Sequence, residues 1–205
     1  MSCLSGLFSK ESKVLGGSNL RKLKNKKLTS TEFMQVWFHY DNDGNGYLEY
    51  TEFCQFMKDL FLKKDCAKIT PKEVEKYTAD MINVMDTHDV NQDGKFEMSE
   101  LADYLKLEEN FLDKIIKQKI ITSKHVKDIL SHYDSNESDT IEGPEMHAFV
   151  GDIARHLGLK LSLSVIQSGI DRVKEKVGTD TVGTTAIKIL LAEESVKELQ
   201  KSFTG

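Results

Sequence analysis
Asp41, Asp89 and Asp134 each open a polar segment of twelve residues that closes on a glutamate, Glu52, Glu100 and Glu145. The openings lie 48 and 45 residues apart, and a repeat of that length marks a supersecondary unit used several times over. The flanks agree in register as well. Phe33, Met81 and Val126 fall eight residues before the opening aspartate, and Trp37, Met85 and Leu130 fall four before it. Beyond the closing glutamate come Phe53, Leu101 and Met146, then Phe56, Tyr104 and Phe149, then Met57, Leu105 and Val150. Apolar residues at such offsets line one face of a helix, so the repeating unit reads as helix, twelve-residue loop, helix. Thr29 with Glu32 and Thr70 with Glu73 fit capping boxes, and Pro71 suits a first helical position.

The loops carry oxygen side chains at alternate positions. In the first, Asp41, Asp43, Asn45 and Glu52 occupy positions one, three, five and twelve, and Tyr47 at seven offers its backbone carbonyl. Gly46 stands at six, where a sharp turn needs positive φ, and Leu48 at eight is apolar. A hard divalent ion of calcium's size takes six to eight oxygens at about 2.3–2.6 Å, so a loop must wrap it and turn every second residue inward. Glu52 would give two oxygens, and Glu49 at nine would act directly or through water. The second loop fits equally, with Asp89, Asn91, Asp93, Lys95 (through its carbonyl) and Glu100, with Gly94 at six and Phe96 at eight.

The third loop keeps Asp134, Asn136, Thr140 (through its carbonyl) and Glu145, but has Ser138 at five and Asp139 where glycine is expected. Aspartate tolerates positive φ with some strain, and Ser138 offers a neutral oxygen where the other loops have Asn45 or Asp93, so weaker binding is expected there. A fourth unit is expected 46 residues beyond Asp134, starting at Asp180, with Ile187 at position eight. Val182, Thr184 and Leu191 would then stand at three, five and twelve, which leaves no metal site and a purely structural partner. The expected cofactor is therefore Ca²⁺, at the first two loops, more weakly at the third and not at the fourth. Short strand contacts are expected to pair Leu48 with Phe96 and Ile141 with Ile187.

Charge is divided along the chain. Residues 1–28 carry seven basic residues against Glu11 alone, whereas the three loops hold thirteen acidic residues and one base, Lys95, within a chain of net charge −5. The basic segment is also rich in Ser, Gly and Asn and is expected to be a flexible arm, with the folded body from Thr29 onward. A solvated tail is the expected role of that arm, ahead of contact with an anionic membrane, and Ser2 stands where myristoylation requires glycine. The domain reading is an arm at 1–28, a pair of units at 29–110 and a second pair at 111–205. Three cysteines, Cys3, Cys54 and Cys66, form no C-x-x-C pair, which suits reduced thiols, and neither a long apolar run nor a secretory pattern is present, so a cytoplasmic location is expected.

Several segments narrow the resemblance. Phe33-Met34-Gln35-Val36-Trp37, Lys58-Asp59-Leu60-Phe61-Leu62, Glu75-Lys76-Tyr77-Thr78, Glu108-Glu109-Asn110-Phe111-Leu112 and Ile141-Glu142-Gly143-Pro144-Glu145 resemble the calbindin, calretinin and secretagogin family of EF-hand proteins. The resemblance spans roughly residues 30–200. It implies an all-α EF-hand fold of four helix-loop-helix units in two pairs, similar to the last four of the family's six hands, with the basic arm in place of the first pair. It also implies a cytosolic calcium sensor or buffer that changes conformation and binds a target protein or peptide in a calcium-dependent way.

The remaining residues point to no other chemistry. Six dispersed histidines form no H-E-x-x-H, and neither a phosphate-cradling glycine loop nor a G-x-S-x-G elbow occurs, so an enzyme is not expected. No nucleic-acid partner is expected. Met34, Met57, Met81, Met85, Met98 and Met146 at helical spacing are expected to be core, ahead of a target groove.

Overall fold
The computed structural model describes residues 26–61, 70–118, 120–192, 195–198 and 200. The basic arm up to residue 25, Cys3 and Cys66 lie outside the described residues. The fold is all-α. Its elements are α1 (Ser30–Tyr40), β1 (Tyr47–Leu48), α2 (Tyr50–Phe61), α3 (Pro71–His88), β2 (Phe96–Glu97), α4 (Met98–Leu105), α5 (Phe111–Ile116), α6 (Ser123–Tyr133), α7 (Gly143–His156), α8 (Leu163–Val177) and α9 (Thr184–Leu190). They fall into two compact units, one within Leu15–Glu108 and one within Glu109–Gly205. No described helix is long and apolar enough to cross a membrane.

In the first unit both expected capping boxes form. Thr29 accepts from the Glu32 amide while the Glu32 carboxylate accepts from the Thr29 amide, and Thr70 and Glu73 do the same at α3, with Pro71 in its first turn. α1 ends because Asp41 leaves helical geometry at its C-cap, φ −74° and ψ 76°, and α3 ends in the same way at Asp89. Leu48 pairs antiparallel with Phe96 and Tyr47 with Glu97, as the repeat requires. Under this ribbon lies an aromatic core. Phe53 stacks on Phe96 with centroids 4.6 Å apart, and Phe56 meets Tyr40 edge-on at 5.3 Å. Trp37, Phe33, Phe53 and Phe56 are fully buried, and each such side chain contributes about 1.5–3 kcal/mol by leaving water. Leu28, one residue before the expected start of the folded body, is also buried and bridges in parallel to Leu107. The outlier is α3: along its eighteen residues Val84 alone is fully buried, and Val74 and Ile82 are exposed.

The second unit repeats the plan with a shorter last loop. α6 is capped by Thr122, whose hydroxyl accepts from the His125 amide, while the His125 ring returns the bond to the Thr122 amide. Ile141 bridges antiparallel to Val182, with both N–H to O=C bonds at 3.0 Å. This corrects the expected partner, Ile187, which instead sits buried inside α9. The reason is a deletion in the loop. Seven residues, 134–140, separate α6 from Ile141, but only four, 178–181, separate α8 from Val182. Counting from Gly178, the left-handed residue that ends α8, brings Val173 and Ile170 into phase with buried Ile129 and Val126 of α6. Counting from Asp180 had put the helix out of register.

Met34, Met57, Met98 and Met146 are buried in the two cores, as expected, whereas Met81 and Met85 on α3 are partly exposed.

Candidate metal centre
Each of the first three loops is wound by a common set of backbone bonds. The closing glutamate accepts from the amide of position two (Asn42, Val90 and Ser135) at 2.8–2.9 Å and from that of position nine (Glu49, Glu97 and Glu142) at 2.9–3.4 Å. The position-five amide donates to position three, from Asn45 to Asp43, from Asp93 to Asn91 and from Ser138 to Asn136. The position-six amide donates to one oxygen of the opening aspartate, from Gly46 to Asp41, from Gly94 to Asp89 and from Asp139 to Asp134. Such winding needs left-handed backbone at positions four and six. Gly44 and Gly46 supply it in the first loop, Gln92 and Gly94 in the second, Glu137 and Asp139 in the third. A non-glycine residue in that region costs about 1–2 kcal/mol, so strain rises from the first loop to the third.

These bonds engage the side chains of positions one, three and twelve in all three loops. Asp41, Asp43 and Glu52 bring one carboxylate oxygen each within 4.8 Å of one another. Position seven lies on the ribbon, where the Lys95 ammonium sits 3.8 Å from the centroid of the Tyr47 ring and links the two paired loops. Thr140 precedes the Ile141 bridge.

Two oxygens test whether a cation fits. Asp41 Oδ1 and Asp89 Oδ1 are buried and have no hydrogen-bond partner. A buried acceptor left unpaired costs roughly 1–3 kcal/mol and a buried anion more, so these atoms call for a positive charge inside the loop. Burial raises the Asp41 carboxyl above its ordinary pKa, only partly opposed by hydrogen bonds from the Gly46 amide and the Trp37 indole. That indole N–H donates to Asp41 Oδ2 at 3.0 Å, a contact the sequence pattern had shown only as an apolar helix position.

The third loop differs at the same atoms. Asp134 Oδ2 accepts from the Asp139 amide at 2.8 Å and Oδ1 from the Ser138 amide at 3.0 Å, so neither oxygen is left over. The Ser138 hydroxyl lies 3.1 Å from the Thr140 carbonyl, the oxygen expected to face the ion. The segment after α8 offers Asp180, which is ion-paired with Lys174 at 3.0 Å.

Sequence reasoning missed a further pair of contacts. The Tyr40 hydroxyl donates to Asp59 Oδ2 at 3.1 Å, and the Tyr133 hydroxyl donates to Asp152 Oδ2 at 2.6 Å. Burial, then the neighbouring carboxylate, raises both phenols. The signal was present as equal offsets from Asp41 and Asp134.

Comparison with known proteins agrees with this geometry. The EF hand domain family matches residues 32–60, which span α1, the first loop and most of α2. Secretagogin of Mus musculus is 39% identical over 129 residues, 60% of this chain and 45% of that protein. Calbindin-32 of Drosophila melanogaster is 36% identical over 133 residues, 63% of this chain and 43% of its own. Calretinin of Bos taurus is 35% identical over 129 residues, covering 63% and 47%. The chain spans about half the length of the curated relatives it matches.

Proposed function
We propose that this chain, similar over part of its length to secretagogin, calbindin-32 and calretinin, is an EF-hand protein that binds calcium reversibly at loops 41–52 and 89–100, with a weaker third site at 134–145. The observation that carries this reading is the pair of buried, unpaired oxygens on Asp41 and Asp89. In the first loop Asp41, Asp43, Asn45, the Tyr47 carbonyl and Glu52 would hold the ion. In the second, Asp89, Asn91, Asp93, the Lys95 carbonyl and Glu100 would do so, and in the third Asp134, Asn136, Ser138, the Thr140 carbonyl and Glu145. Bound calcium would supply positive charge and nothing else, so the role is binding and not catalysis. The two units act as two pairs of hands, the first coupled through the Leu48–Phe96 ribbon.

A calcium sensor is the favoured form of this function, and α3 is the reason. Asp89 is its C-cap, so filling the second loop acts directly on a helix whose one fully buried residue is Val84 and whose side chains otherwise reach α2 and α4 through Tyr77, Met81 and His88. Moving α3 changes how much of Met81 and Met85, now partly exposed, is open to a target peptide. Such a protein serves in the cytosol, where free calcium changes. Calorimetric titration of the metal-free protein with calcium, at cytosolic magnesium and with an apolar-surface dye, tests the reading. Two or three sites with a large dye response support a sensor, the same sites with no response make the protein a buffer, and no calcium heat at all refutes binding.

A further inference from the structure
The residue immediately before each opening aspartate is Tyr40, His88 and Tyr133, and the residue eighteen after it is Asp59, Leu107 and Asp152. Where tyrosine and aspartate occupy these positions they are bonded, at 3.1 Å in the first hand and 2.6 Å in the third. The surroundings repeat too. Tyr40 meets Phe56 edge-on at 5.3 Å and 82°, and Tyr133 meets Phe149 at 5.4 Å and 83°. Each aspartate is also held from its own helix. Gln55 donates to Asp59 at 2.8 Å, and Arg155 donates to Asp152 at 2.8 Å, while Asn110 donates to the Asp152 carbonyl at 2.6 Å. The second hand has no such pair, and there the His88 ring packs edge-on against Tyr104 at 5.1 Å.

We propose that Tyr40 with Asp59, and Tyr133 with Asp152, are positioning pairs for the metal loops of the first and third hands. All the ligands of a loop lie between the two members of its pair. The bond therefore closes a ring around the loop and holds the entering helix against the exiting one, so that positions one and twelve stay opposed. Without it the ion must order that arrangement itself, and the ordering cost is subtracted from binding. Packing alone does not explain the pair. Phenylalanine would fill the same space, and Asp152, only 1% exposed, is costly to bury as a charge unless its partners are needed. The inference rests on the reading of these loops as calcium sites.

The first hand provides the test, because Trp37, the chain's one tryptophan, is bonded to Asp41 and reports on that loop. In the full chain, Tyr40→Phe keeps the ring and removes the hydroxyl. Calcium affinity at the first loop, read from Trp37 emission, should fall about three- to tenfold, the scale of one ordinary intramolecular hydrogen bond. The loss should appear as faster calcium release into a chelator, with association and the metal-free circular dichroism unchanged. Asp59→Asn leaves an oxygen to accept the phenol and should keep most of the affinity, whereas Asp59→Leu should match Tyr40→Phe. Tyr133→Phe, in the other unit, should leave the Trp37 signal unaltered. Unchanged affinity and release in Tyr40→Phe overturns the proposal, as does an equal loss in Asp59→Asn and Asp59→Leu. A wild-type chain whose Trp37 ignores calcium refutes the functional reading, and the positioning role falls with it.

Discussion
In the first loop Asp41 gives one oxygen to the Gly46 amide and the Trp37 indole and leaves the other buried and unpaired, whereas in the third loop Asp134 gives both oxygens to backbone amides. The two loops share the closing glutamate, the winding bonds and the tyrosine before the aspartate. What separates them is who satisfies the oxygens. Ser138 is short and neutral, its amide approaches Asp134, and its hydroxyl reaches the Thr140 carbonyl. The third loop thus meets by itself much of the demand that the first loop leaves to a cation, and an entering ion must displace those bonds. On the proposed reading, ligand residue types at the right spacing are not enough for a strong site, and oxygens left unsatisfied would give it affinity.

Replacing Glu52 and Glu100 by Gln together would remove the charged bidentate ligand proposed for each of the first two loops and should weaken both about a hundredfold or more, a span within the range over which ligand charge tunes such sites. Calorimetry of the double variant should then show only the weak third site, and unchanged stoichiometry would remove the contrast between the loops. A smaller effect is expected from repairing the third loop. Ser138→Asp with Asp139→Gly places a carboxylate at position five, as in the second loop, and relieves left-handed strain at position six, and should tighten that site about tenfold. If the repaired loop binds no better, internal satisfaction of its oxygens is not what limits it.

The smallest effect concerns protons. The Asp41 carboxyl is raised in the folded chain, so in the metal-free form protonation favours folding: its stabilising contribution is present at acid pH and is lost as pH rises through the raised pKa. On acidification from neutrality toward the carboxylate range, the first loop should lose calcium affinity while the metal-free first unit gains stability from this group. Thermal melting in chelator and Trp37-detected titrations at several pH values check the two signs. Glu52→Gln should leave the stability gain in place and remove the calcium signal.

Much of this was legible in the sequence because it is local or strictly periodic. The Thr29 and Thr70 boxes depend on residues three apart, and the Leu48–Phe96 contact follows from position eight of two intact loops. The fourth hand was misread for a related reason. Its loop is three residues shorter, so counting from Asp180 carried the register past Val182 to Ile187, and only the bridge to Ile141 shows where the strand position lies. The cap on α6 was passed over because His125 takes the place usual for glutamate or glutamine. Occupancy of individual oxygens was not legible at all. Whether Asp134 Oδ1 is taken by an amide depends on the path of the backbone at Ser138, and the Tyr133–Asp152 bond joins residues on two different helices.

The unpaired oxygen of Asp41 is the atom proposed to meet calcium, and the Trp37 indole, bonded to the same carboxylate, lies close enough to report on it. The most direct measurement is calcium titration of the metal-free chain, following Trp37 emission in wild type, Glu52→Gln and Glu145→Gln. Wild type should show a saturable change that is lost in Glu52→Gln and kept in Glu145→Gln. A Trp37 signal that ignores calcium, or one that survives Glu52→Gln unchanged, would contradict the proposal.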